Sequence, residues 1–208
     1  MKIAVVTNNS LKEELIAQGL QEGWEPEWLE TPRAVTGVVA YIDLLFTPVP
    51  ARINALIELK PALVLVNELN CTTAELPEGF IRFNGWKSFL KRPVMEAAGG
   101  NEETRTQAGR IFSCFGKKTE WVPDTPGFIS ARIVSMIINE AYFTLEEKVS
   151  SKEEIDIAMK LGTNYPYGPF EWSGLIGLQN IYELLKKLAA GNARYTAADL
   201  LMKEATKQ

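Results

Sequence analysis

The 208-residue chain contains no histidine. That absence removes the commonest general base at neutral pH, and with it the Ser-His-Asp triad, the Cys-His dyad, His-ligated metals and any hydride transfer that relies on an imidazole. Cysteine is nearly absent as well. Cys71 and Cys114 lie far apart and form no CxxC pair, which excludes a disulfide framework and fits a reducing compartment. Neither sign of charge dominates: 22 basic residues face 26 acidic ones, the net charge is −4, and no basic field exists for a nucleic-acid backbone. No apolar run reaches the roughly 18 residues of a membrane helix. The opening run Met1-Lys2-Ile3-Ala4-Val5-Val6-Thr7 reads as a strand and not as a signal peptide. The expectation is a cytoplasmic protein with no nucleic-acid or membrane partner, whose chemistry must use carboxylates, lysine, cysteine, hydroxyls or a cofactor.

What is present falls into two textures. Residues 1–123 alternate short β-branched runs with amphipathic stretches, the pattern of βαβ units around a parallel sheet. Five or six strands are expected: Ile3 to Thr7, Glu27 to Leu29, Val38 to Leu45, Ala62 to Asn67, Gly79 to Asn84 and Lys118 to Val122. Helices are expected over Leu11 to Leu20, Pro50 to Leu59 and Glu102 to Phe115. At Asp124-Thr125-Pro126-Gly127 the texture changes, and residues 124–208 read as all-helical after a hinge near Pro126. Ile129, Ile133, Met136, Ile137, Ala141 and Leu145 are expected to form one buried stripe on a helix of about twenty residues. Ser151-Lys152-Glu153-Glu154 is a capping box opening a second helix that Gly162 closes, Leu175 to Ala190 is a third ended by Gly191, and Thr196 caps a fourth.

Several runs carry a family likeness. Asp124-Thr125-Pro126-Gly127-Phe128-Ile129 with Arg132 and a long helix resembles the domain junction of the 3-hydroxyacyl-CoA dehydrogenases. Ser151 to Asp156, Ala158-Met159-Lys160-Leu161-Gly162, Tyr165-Pro166-Tyr167-Gly168-Pro169-Phe170-Glu171 and Leu175-Ile176-Gly177-Leu178 resemble their helical domain. Upstream, Asn70-Cys71-Thr72-Thr73, Gly79 to Asn84 and Pro93-Val94-Met95-Glu96 are fainter echoes. The resemblance implies a shortened Rossmann-like α/β domain (1–123) followed by a helical domain of the family's C-terminal type (124–208). It also implies NAD, a 3-hydroxyacyl-CoA substrate and a dimer formed through the helices.

Overlaid on that family, the sites are changed. A G-x-G-x-x-G turn should follow the first strand, but Thr7-Asn8-Asn9-Ser10-Leu11-Lys12 stands there, with Thr7 and Asn9 filling the pyrophosphate space. Glu30, near the ribose-binding position, reads as a solvated strand-end glutamate. The catalytic histidine falls on Ile81, its orienting glutamate at or next to Gly99 with Glu96 three positions off, and the asparagine of the junction helix on Ala131; Thr72 keeps the chemistry of the family's serine. The CoA-holding excursion is missing where Glu30-Thr31-Pro32-Arg33 runs almost directly into Val38. An insertion, Trp86-Lys87-Ser88-Phe89-Leu90-Lys91-Arg92, reads as a basic loop resting its aromatics on the core. Cys71 reads as an inert thiol, and Tyr165, Tyr167, Phe170 and Trp172 as packing.

The expectation is thus a dehydrogenase-like protein of acyl-CoA metabolism without dehydrogenase activity, NAD or metal. It would act as a binding or partner protein, with an acyl-CoA-type ligand and a homodimer or a heterodimer with a paralogue. The alternative is an active, divergent dehydrogenase with chemistry reassigned to Thr72, Arg82 or a lysine of the insertion.

Overall fold

The computed structural model describes residues 1–207, and the chain divides into two compact units between Phe128 and Ile129. The first unit is a seven-stranded sheet built from β1 (Lys2–Val6), β2 (Glu25–Leu29), β3 (Val38–Asp43), β4 (Leu63–Asn67), β5 (Phe80–Phe83), β6 (Val94–Ala98) and β7 (Lys118–Trp121). Its order is β2-β1-β3-β4-β5-β6-β7; the first five strands are parallel, β6 runs against β5, and β7 is parallel to β6. Helices α1 (Asn9–Leu15), α2 (Pro50–Ile57) and α3 (Glu102–Ser113) complete the unit.

The apolar run Leu63-Val64-Leu65-Val66 is buried throughout because its strand is covered on both faces. Strand alternation sorts the core into two layers. Ile3, Val5, Ile42, Leu65, Ile81 and Phe83 pack with Leu11 and Leu15 of α1 and Ile111 and Phe112 of α3. Ala4, Val6, Tyr41, Val64, Val66 and Phe80 pack with Leu56 of α2. The chain leaves β1 to form β2 on one side and returns to form β3 on the other, so the strand order reverses at the carboxyl ends of β1 and β3. In open α/β sheets this switch point is where ligands bind.

Some expected elements differ. A seventh strand, β6, was visible in the sequence only as the Pro93-Val94-Met95 echo, because just five residues pair before Gly99 and Gly100 turn the chain with φ of 99° and 67°. Helix α1 stops at Leu15 rather than Leu20, with Gly19 left-handed beyond it. No helix lies in residues 30–37 between β2 and β3, as the short Glu30 to Val38 connection implied.

The second unit contains α4 (Ser130–Glu146), α5 (Lys152–Thr163), α6 (Pro169–Ile176), α7 (Leu178–Ala189) and α8 (Asp199–Ala205). The Ser151 capping box forms, its side chain accepting from Glu154 N. Helix α5 runs through Gly162, and Asn164 takes the left-handed cap at φ 56°. The expected third helix is two: Gly177, at φ 91°, separates α6 from α7. Thr196 does not cap α8, whose N-cap is Ala198; the Thr196 hydroxyl instead donates to Ala193 O. Buried Asn139 of α4 fixes this last segment by donating to Thr196 O (2.9 Å) and accepting from Ala198 N (2.8 Å). No helix among the described residues is long and apolar enough to cross a membrane.

Candidate functional site

The turn after β4 carries the hydroxyls singled out in the sequence. Thr72 caps a single 3-10 turn, Thr73–Glu75, and both its backbone N–H and its hydroxyl donate to Glu75 Oε2 (2.8 and 3.2 Å). Thr73 donates from its backbone N–H and its hydroxyl to Asp124 Oδ2 (2.8 and 2.5 Å). The other Asp124 oxygen accepts from Arg82 Nε at 2.6 Å. Arg82 also donates through Nη1 to Glu68 O (3.2 Å) and through Nη2 to Thr125 O (2.6 Å), and its guanidinium lies 4.2 Å from the centre of the Phe128 ring. Phe128 itself sits at φ 48°, and the segment before it is held by Gly127 N donating to Leu69 O (2.7 Å).

Arg82 is therefore the hub that joins the ends of β4 and β5 to the Asp124–Phe128 segment. It is fully buried, yet three of its donors meet acceptors and its flat face meets an aromatic ring. Partial burial would raise the Asp124 carboxyl, but hydrogen bonds from Thr73 and Arg82 outweigh it and hold the group below the usual carboxylate range. A carboxylate so supplied with donors is a poor base. Sequence reasoning weighed Arg82 only as alternative chemistry and Asp124 only as part of a junction motif; an arginine inside the apolar strand Phe80-Ile81-Arg82-Phe83 was the available signal.

Ile81 and Arg82 point to opposite faces of β5. Ile81 is buried in the layer beneath α1 and α3, while Arg82 turns toward the hydroxyl turn. Gly99 comes beside them: a Cβ built on it would lie 3.7 Å from Ile81 Cα but only 2.7 Å from Thr73 Cγ2. Positions 81 and 99 and the hydroxyl turn are thus neighbours, and position 99 has no room for a side chain. Ala131 is buried on α4, in the other unit.

At the end of β1, Thr7 is buried and Asn8 caps α1, its side chain accepting from Leu11 N at 3.0 Å. Asn9 opens α1, Lys12 stacks 4.5 Å above the Trp28 ring, and Glu30 is exposed just past β2. Across the switch point, Asp43 ends β3 fully buried and accepts from Arg52 Nε (2.7 Å), Arg52 Nη2 (2.6 Å) and Leu45 N (3.0 Å). Burial pushes the Asp43 carboxyl above its ordinary value despite Arg52. Sequence reasoning missed this pair, although a carboxylate closing the run Tyr41-Ile42-Asp43 invites a partner.

The insertion lies down as a structural loop. Trp86, Phe89 and Leu90 are buried, and Arg92 stacks 4.3 Å from Phe89. Ser88 N donates to Glu14, and buried Lys117 donates to Leu90 O (2.5 Å) and Arg92 O (3.0 Å). Burial lowers the Lys117 amine to about 8, against the opposing pull of Glu14. In the second unit, Tyr165 and Tyr167 pack against Trp172, and Phe170 against Tyr142.

Comparison with known proteins gives this geometry a context. Residues 127–208 match the model of the 3-hydroxyacyl-CoA dehydrogenase C-terminal domain. The chain is 45% identical over 92 residues to the 3-hydroxyadipyl-CoA dehydrogenase of Escherichia coli, covering 43% of this chain and 19% of that protein. It is 45% identical over 138 residues to the 3-hydroxybutyryl-CoA dehydrogenase of Clostridioides difficile, covering 64% and 49%. The chain thus spans half or less of the length of these relatives. A crystal structure of (S)-3-hydroxybutyryl-CoA dehydrogenase from Ralstonia eutropha superposes with a TM-score of 0.77 over 99% of this chain and 93% of that one, at 18% identity, a likeness of fold alone.

Proposed function

We propose, for a chain that belongs to the 3-hydroxyacyl-CoA dehydrogenase family through its helical unit, a role in acyl-CoA metabolism as a binding or partner protein without dehydrogenase activity. The observation that carries this reading is the packing at positions 81 and 99. Ile81 has no exposed surface, and a side chain at 99 would collide with Thr73. Neither a base nor a group to orient it has a place there. Loss of a general base alone typically costs about 10²- to 10⁴-fold in rate.

Reassigned catalysis has less support. The Thr72 hydroxyl is engaged by Glu75, Arg82 is buried among acceptors, and the insertion's Lys87 and Lys91 are both half-buried. For a partner, the helical unit offers uncovered apolar side chains: Ile129 and Ile133 one turn apart on the α4 side, Ile157 and Leu161 one turn apart on α5, and Val149 between the helices, each more than half exposed. A second copy of this chain seated on them would form a homodimer; a paralogue sharing the surface would form a heterodimer.

The test is twofold. Calorimetric titration with acetoacetyl-CoA should give saturable binding, while an NADH-linked assay at stoichiometric protein should give no turnover. Multiple turnovers overturn the reading, as does failure to bind any acyl-CoA. A strictly monomeric protein at high concentration removes the self-association.

A further inference from the structure

The switch-point crevice is the place a dinucleotide would occupy in this fold. We infer that residues of this chain close the crevice themselves, so that no nicotinamide dinucleotide binds. Three observations converge on it.

The backbone comes first. A pyrophosphate turn needs residues without Cβ atoms, or with left-handed φ, directly after β1. Here the first left-handed residue of the chain is Gly19. Thr7 is 6% exposed and its hydroxyl donates to Asn8 O (3.0 Å), so a packed side chain occupies the approach.

The donors come second. Two of the four amide groups in the first turn of α1 are already engaged: Leu11 N donates to Asn8 Oδ1 and Lys12 N to Asn8 O, each at 3.0 Å. Helix α1 has only seven residues, so little dipole stands behind the groups that remain.

The opposite wall comes third. Asp43 pairs with Val6 in register at the carboxyl ends of β3 and β1, which puts a fully buried carboxylate at the floor of the crevice. Arg52, in the first turn of α2, grips both its oxygens (2.7 and 2.6 Å) and is itself only 16% exposed. This cation is already neutralised. A phosphate placed here would meet a carboxylate whose charge is matched, or would have to pull the fork away and leave Asp43 buried without a partner, which is strongly unfavourable.

The inference deepens the reading of lost catalysis and concerns the same fold, so its probe is binding and not turnover. The full-length protein is titrated with NADH, by calorimetry and by energy transfer from its five tryptophans, and separately with AMP as a half-site probe, by calorimetry. The expected result is no saturable signal up to about 1 mM. Saturable binding of either nucleotide below that concentration overturns the inference. NADH bound without turnover would overturn it while leaving lost catalysis standing. Absence of acyl-CoA binding would sink the proposed function and leave this inference intact.

Discussion

Replacing Arg82 with methionine keeps an unbranched stem of similar length in β5 and removes only the guanidinium. Three hydrogen bonds disappear: to Asp124 Oδ1 (2.6 Å), Thr125 O (2.6 Å) and Glu68 O (3.2 Å). Breaking a buried ion pair by deleting one partner costs about 3–5 kcal/mol. The Asp124 side chain, however, is 30% exposed and keeps both Thr73 donors, so its share falls toward the lower end. The two carbonyls add about 1 kcal/mol each if they are left dry. Methionine sulfur against the Phe128 ring recovers roughly 0.5 kcal/mol. The expected loss is about 4 kcal/mol, read as a fall in urea midpoint at unchanged slope. Asp124→Asn should cost less, about 2 kcal/mol, because the amide still accepts from one donor. The double variant should fall short of the sum by at least about 1 kcal/mol, since the two residues form one network. A loss below about 1 kcal/mol for Arg82→Met, or additive behaviour, would refute the assignment of Arg82 as the hub.

Other expectations are equally direct. Lys117 has a folded value near 8 against 10.5 when solvated, so between these values the unfolded chain holds more protons and stability rises with pH. The full span corresponds to about 3 kcal/mol, and a melt series from pH 7.5 to 9.5 should show about half of it in the wild type and none of it in Lys117→Met; parallel curves would contradict the buried amine. Gly168→Ala should cost about 3 kcal/mol, because its Cβ would overlap the Asp156 carboxylate that accepts from Phe170 N (2.8 Å) and Glu171 N (3.1 Å) at the start of α6. In an Asp156→Gly background, which removes the Asp156 Cβ (2.4 Å from the added Cβ) together with the carboxylate, the same change should cost less than about 1 kcal/mol, and an equal cost in both backgrounds would show that the collision is not the cause. Ser135, buried with an unpartnered hydroxyl on α4, should be replaceable by alanine with a gain of about 1 kcal/mol in thermal or urea stability; a loss would mean the hydroxyl has a bonding role.

The parts of the fold that were legible were those governed by local rules. Ser151 to Glu154 announced a capping box, and the box is there, since the two side chains need only their own turn to satisfy each other. The parallel strands announced themselves through continuous apolar runs. Breaks that depend on tertiary context were not legible. Gly162 and Gly177 are both glycines inside helical pattern, yet the chain passes through one and turns at the other. Nothing lies within 4 Å of a Cβ built on Gly162, whereas Gly177 takes φ 91° and its amide closes the turn onto Ser173 O. The site was legible by position and not by contact. Ile81, Gly99 and the Thr72 turn were placed as neighbours by overlay, but only strand alternation shows that the side chain facing the turn is Arg82.

An imidazole restored at position 81 would enter the layer lined by Leu65, Phe83, Ile111 and Phe112 beneath α1 and α3, with no carboxylate beside it, because position 99 cannot carry one past Thr73. Burial would disfavour its charged form, and as an unpaired polar group it would cost stability instead of supplying a base. The polar side chain at this end of β5 is the neighbouring Arg82, which ties the hydroxyl turn to Asp124 and is buried in doing so. An arrangement with every strong donor matched to an acceptor holds shape well and transfers protons poorly. A histidine at position 81 would therefore need both a turned strand face and an emptied position beside Thr73 to gain a carboxylate partner, and no single substitution provides them.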